Sequence, residues 1–147
     1  MESLFFNLKT DKFKVMKIII KTTNIEPNPA IKEYVDEKIG SIDKFLGNID
    51  RSVTEARVEV GKITRGQQKG EIFRAEVNLT LPGELLRSVA HEEDLRIAID
   101  KVKDELQREI KKYKGKQKAR FIRGARRAKK LIRLSPLAWF RREKRNK

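Results

Sequence analysis

The 147-residue chain contains no cysteine, which excludes disulfides, thiolate chemistry and the usual thiolate zinc cages. With 38% hydrophobic and 39% charged residues it can build one domain of ordinary size around a modest core. Its formal charge of +15 is concentrated at one end: residues 1–110 carry 19 Lys/Arg against 20 Asp/Glu, residues 111–147 carry 17 against the single Glu143. A near-neutral domain followed by a basic block suits a polyanion, whose counterions such a block releases on binding.

Residues 1–15 read as an irregular extension. The start, Met1-Glu2-Ser3-Leu4-Phe5-Phe6, is acidic and reaches Lys9 and Asp11 before any long apolar run, a poor signal peptide. No stretch approaches the ~20 apolar residues that a membrane span needs, so the expected setting is cytoplasmic, with no membrane partner. Val15 to Lys21 is a short β run with Met16, Ile18 and Ile20 on one face and Lys17, Ile19 and Lys21 on the other. Asn28 is a cap for the next helix and Pro29 its first residue, where a missing N–H costs nothing. Ile31, Tyr34, Val35, Ile39, Ile42, Phe45 and Leu46 follow at three- and four-residue steps, one apolar stripe on a helix expected to end near Gly47.

From Ser52 the period becomes two. Thr54, Ala56, Val58 and Val60 alternate with Glu55, Arg57 and Glu59, and after a polar connection over 64–70 Phe73, Ala75, Val77, Leu79 and Leu81 alternate with Arg74, Glu76, Asn78 and Thr80. Pro82-Gly83 signals a turn, and Glu84 to Ala90 is a last strand whose inward face stays open between Leu85 and Leu86. The final helix carries Leu95, Ala98, Ile99, Val102, Leu106, Ile110 and Tyr113 as its stripe. Glu92, Glu93 and Asp94 stand at its start, Lys111, Lys112 and Lys114 near its end, as the helix dipole prefers, and either Asp94 or Glu92 is the cap. Gly115 is the expected stop. The fold class is thus α+β in the order β-α-β-β-β-α, a four-stranded sheet with one wet face and two helices on the other.

Beyond it lies a basic tail, residues 117–147, partly helical, with Phe121, Ala125, Ala128 and Ile132 on one side. Such a segment can order on RNA, paying its entropy at that moment. Trp139 and Phe140 either stack on bases, dock in a protein groove, or fold back on the domain.

Catalytic signals are weak. His91 is the only histidine and has no second imidazole or thiol to share a metal, the acids at 92–94 suit a helix start better than a catalytic pair, and no GxxxxGK[ST] loop is present. No enzyme activity, cofactor or metal is expected. The nucleic-acid signal is stronger. Lys101, Arg108, Lys111 and Lys112 lie off the last helix's stripe and Lys114 and Lys116 continue the charge, spaced to meet phosphates without reading bases. Arg57 and Lys62, on or beside the wet sheet face, extend the patch, and Arg123, Arg126, Arg127, Lys129 and Lys130 supply the tail's share.

Two segments also resemble a known family. Asn28-Pro29-Ala30-Ile31-Lys32-Glu33-Tyr34-Val35, and Glu93-Asp94-Leu95-Arg96-Ile97-Ala98-Ile99-Asp100-Lys101-Val102 with Leu106 and Lys112-Tyr113-Lys114-Gly115-Lys116, are similar to the ribosome hibernation-promoting factor and ribosome-associated inhibitor family, also called the sigma-54 modulation family. The resemblance covers residues 16–116. It implies a shape related to double-stranded RNA-binding domains. It also implies binding to the small ribosomal subunit and its rRNA over the decoding region, where messenger and transfer RNA are blocked and idle ribosomes preserved under stress. Carried over, the family's basic contacts fall on Arg108, Lys112, Lys114, Lys116 and Arg57. This chain departs from the pattern in having Arg96 where the family usually has an aromatic residue, and His91 at a usually glycine-like joint. Residues 117–147 are too short and basic for the strand-rich dimerising domain of long members, so a monomer off the ribosome is expected, with ribosomal proteins as further partners of the tail. The alternatives are a generic structured-RNA binder, which would put lysines where Glu92, Glu93 and Asp94 stand, and a non-catalytic protein-interaction regulator.

Overall fold

The computed structural model describes residues 15–63 and 70–134. Strand β1 spans Lys17–Thr23, helix α1 Pro29–Gly40, the short helix α2 Asp43–Leu46, β2 Glu55–Ile63, β3 Ile72–Leu81, β4 Glu84–Glu92 and α3 Leu95–Leu134. The chain divides into two compact units, Met1–Ile110 and Lys111–Lys147.

The first unit is built on a sheet of order β1-β2-β3-β4, with β1 parallel to β2 and the other pairs antiparallel. The parallel pair needs a long connection, which α1 and α2 provide. Register aligns core positions in rows: Ile18, Ala56, Leu79 and Leu86; then Ile20, Val58, Val77 and Ser88; then Thr22, Val60, Ala75 and Ala90. This face is covered by Val35, Ile39, Ile42 and Leu46 and by Ala98, Ile99, Val102, Leu106 and Ile110, all buried. The open choice on β4 is resolved by the hairpin. Pro82-Gly83 forms a two-residue turn with Gly83 at φ 75°, so Leu81 pairs with Glu84 and Leu86 falls inward while Leu85 is exposed. At the far end of β2, a Cβ on Gly61 would lie 2.5 Å from the Thr23 carbonyl oxygen, so only glycine lets β1 and β2 approach there.

Two helix expectations need correction. Asn28 does cap α1, its side chain accepting from the Ala30 N–H at 2.9 Å, but the helix ends at Gly40 rather than near Gly47. The Ser41 hydroxyl donates to the Lys38 carbonyl at 2.6 Å, competing for a helix-end acceptor. The chain then tightens through i→i+3 bonds from Ile42 to Ile39 and from Phe45 to Ile42. Ile39, Ile42 and Leu46 stay fully buried across the break, so the apolar stripe survives although the helix does not. Arg51 secures the return to β2, donating to the Asp43 carboxylate at 3.3 Å and to the Asp43 and Ile49 carbonyls at 3.0 and 2.6 Å.

The second correction concerns Gly115, which does not stop α3. Helix continues through Gly115 and Gly124 to Leu134, and neither glycine takes the positive φ of a C-terminal stop. A glycine costs a helix interior about 1 kcal/mol relative to alanine, and the lysines, arginines, alanines and glutamines around these two favour helix enough to carry it. Residues 117–134 of the basic tail are therefore helical. Of the two cap candidates, Asp94 takes the role, accepting the Arg96 N–H at 2.7 Å. The expected extension before Val15, most of the 64–70 connection, and Trp139 and Phe140 lie outside the described residues.

Candidate nucleic-acid interface

Alternation along the four strands leaves one face of the sheet open. It carries Lys17, Ile19 and Lys21 from β1, Glu55, Arg57 and Glu59 from β2, Arg74, Glu76, Asn78 and Thr80 from β3, and Leu85, Arg87, Val89 and His91 from β4. Arg57 sits here as expected, its side chain 71% exposed and donating to Glu55 at 2.6 Å; Glu55 also holds Lys17 at 3.5 Å. The Arg57 hydrogen bond is the main cause holding the Glu55 carboxyl below its ordinary range.

Glu76 occupies the centre of this face and is nevertheless buried. Arg87 grips it with a fork, Nε to Oε1 at 3.0 Å and Nη2 to Oε2 at 3.2 Å. Arg74 bonds Oε2, and Asn78 donates to Oε1 at 2.9 Å. Burial pushes the Glu76 carboxyl up, but the Asn78 and Arg87 hydrogen bonds and the two guanidinium charges outweigh it, and the group ends below its ordinary range. Sequence reasoning missed this cluster. Its one signal was the spacing of Arg74, Glu76 and Asn78 at every second residue, which puts them on one face without saying that Arg87 would join from the next strand.

The other sequence candidates of the first unit are also paired. Lys62 bonds Glu71, Lys101 bonds Glu92, and Arg108 lies 3.5 Å from Glu105. The Lys101 partner comes from another element, Glu92 at the end of β4. Lys101 and Arg108 line, with Arg87, a shallow groove along the outer edge of β4. These ion pairs are exposed, each worth at most about 1 kcal/mol, and a phosphate can displace them.

Arg96 stacks 5.5 Å over the ring of Tyr34, a cation on an aromatic partner from α1. Tyr34 donates to Asp100 at 2.9 Å, and Lys38 lies 3.5 Å from the other oxygen of that carboxylate. Burial, then the Asp100 contact, raises the tyrosine pKa above its ordinary value. His91 is exposed on the open face opposite Arg74, and among the described residues no three metal-ligating side chains converge.

The second unit has a different character. Between Lys111 and Leu134 it carries 12 Lys/Arg and no acid, all on one helix. The sequence candidates Lys111, Lys112, Lys114, Lys116, Arg123, Arg126, Arg127, Lys129 and Lys130 are all exposed, as are Lys118, Arg120 and Arg133, which belong to the same run. At 1.5 Å rise per residue the run covers roughly 36 Å, or about one positive charge per 3 Å, a density of the same order as a nucleic-acid backbone. The helix also exposes Phe121, Leu131 and Ile132.

Residues 18–118 match the family model described as sigma 54 modulation protein / S30EA ribosomal protein. The chain is 34% identical over 93 residues to the ribosome hibernation promotion factor of Deinococcus radiodurans, covering 62% of this chain and 45% of the relative. It is 34% identical over 106 residues to that of Bacillus subtilis, covering 72% and 52%. The chain thus spans about half the length of the curated relatives it matches. Among solved structures, the N-terminal domain of Thermus thermophilus protein Y superposes with a TM-score of 0.54 at 28% identity, covering 67% of this chain and 97% of that domain.

Proposed function

Because the chain belongs to the sigma 54 modulation protein / S30EA ribosomal protein family, we propose that it is a non-catalytic ribosome-binding factor. On this reading it occupies the small subunit near the decoding region, blocks the messenger and transfer RNA sites, and holds idle ribosomes inactive under stress. Residues 16–116 are the binding domain and 117–147 a second anchor on rRNA or an adjoining ribosomal protein. The protein is a cytoplasmic monomer off the ribosome. The observation that carries the reading is the acid-free run of 12 cations on the helix from Lys111 to Leu134, in a chain whose matched region ends at residue 118.

In physical terms the binding is polyelectrolyte association. Each phosphate neutralised releases about 0.9 counterion on a B-form duplex and about 0.7 on a single strand, so log affinity falls with log salt by an amount of that order per contact. Sedimentation of the full chain with small subunits and with intact ribosomes, at rising salt and with transfer RNA as competitor, is the test. Co-sedimentation with a steep salt dependence and displacement by transfer RNA are expected. No association at low salt, or association indifferent to salt and transfer RNA, overturns the proposal.

A further inference from the structure

We infer that the open face of the sheet carries a phosphate-binding site in which Arg74 and Arg87, held in place by Glu76, present their outer N–H groups with Arg57 to the backbone of an RNA. The inference rests on the proposed ribosome-binding function and adds to it a site and a positioning residue.

Charge comes first. Two of the three carboxylates on this face are each shared by two cations, Glu55 by Lys17 and Arg57, Glu76 by Arg74 and Arg87, while Glu59 accepts from the Thr23 hydroxyl and stands level with Lys21. One positive charge is left over at each cluster. Among the described residues neither Arg74 nor Arg87 pairs with a second carboxylate.

Donor geometry comes next. A guanidinium has five N–H donors. Arg87 donates to Glu76 from Nη2 and brings Nε within 3.0 Å of its other oxygen, and Arg74 donates from Nη2. Their remaining donors have side-chain exposures of 59% and 30% to work with. Register sets Arg57, Asn78 and Arg87 in one row across β2, β3 and β4. Neighbouring strands lie ~4.8 Å apart, so the Arg57 and Arg87 backbones stand roughly 10 Å apart, a span that a phosphate chain bridges.

Glu76 has its role through entropy. Arginine side chains lose rotamer freedom on binding, and a buried acceptor that already fixes two of them lowers that cost. A carboxylate on a phosphate-binding face would otherwise only repel the ligand, which makes the sign of its effect diagnostic.

The test uses the full chain and two probes, a labelled 16-base-pair RNA duplex and tripolyphosphate. Nε–H signals of Arg74 and Arg87 are followed by NMR, and duplex affinity is measured against salt for the wild type, Arg87→Ala, Arg74→Ala/Arg87→Ala and Glu76→Gln. Unchanged core signals confirm that each variant is folded, and Arg87→Ala, at the more exposed position, remains the working variant if the double one is not. Duplex should move both Nε–H signals, and the double variant should lower the salt slope by about 1.8, or 0.9 per lost contact. Glu76→Gln should weaken binding although it removes a negative charge from the face. Tighter binding by Glu76→Gln, an unchanged slope in the arginine variants, or signals that answer only to tripolyphosphate would each overturn the site. A wild type whose signals move with duplex but which does not sediment with ribosomes leaves this site standing and removes the ribosomal reading.

Discussion

Glu76 shows how little a residue's chemistry follows from its own position. In sequence it is one of the alternating polar residues of a strand with a wet face, and it is buried because Arg74, Asn78 and Arg87 close over it. Its depressed pKa has a consequence for stability with a definite sign. A carboxyl that is more acidic folded than unfolded binds fewer protons in the native state, so its stabilisation is complete above the ordinary glutamate pKa and is lost as pH falls through the folded value. Urea midpoints should therefore decline as pH falls below the ordinary glutamate range, and Glu76→Gln should flatten that decline while lowering the midpoint at neutral pH. An equally steep acid decline in the variant would assign the effect to other carboxylates. Tyr34 works in the opposite sense, since its raised pKa favours the neutral phenol and its contribution is lost only at strongly alkaline pH.

Helix α3 is the element that departs most from its reading. Its apolar stripe was legible, because Ala98, Ile99, Val102, Leu106, Ile110 and Tyr113 recur at helical spacing and all are buried. Its end was not, because Gly115 satisfies the composition of a stop without taking its backbone conformation. A Cβ at Gly115 or at Gly124 meets nothing within 4 Å. Alanine at either site should thus stabilise the helix by up to about 1 kcal/mol with no steric penalty. Gly124→Ala in particular should raise the helical circular dichroism of the full chain. An unchanged spectrum would mean that residues around 124 do not populate helix in solution. The α1–α2 break makes the same point from the other side, for periodicity alone reads through a Ser41 hydroxyl that diverts the Lys38 carbonyl.

At the scale of the molecule the two units divide the work by charge, -1 for residues 1–110 and +16 for residues 111–147. Replacing Arg123, Arg126, Arg127, Lys129 and Lys130 by glutamine should cut the salt slope of ribosome binding by up to about 4.5, if all five meet phosphates. The melting temperature should stay near that of the wild type, because these side chains are exposed. Leu106→Ala should do the reverse, costing ~2–5 kcal/mol of stability as a fully buried leucine, with the salt slope preserved under folded conditions. A shallow slope in Leu106→Ala, or an unaltered one in the five-site variant, would show that the division is wrong.

The order of elements along the chain, the buried faces of β1, β2 and β3, the helix stripes and the segregation of charge were all written in the sequence, because each is read from single segments with their own period or composition. The choice between Leu85 and Leu86, the parallel pairing of β1 with β2, the Lys101–Glu92 pair and the convergence of Arg74 and Arg87 on Glu76 were decided only by the tertiary structure. The reason is register. Period-two alternation assigns a residue to a face, but which side chain stands opposite it depends on where two strands are pinned together, here by the Pro82-Gly83 turn and by the common core that the strands bury.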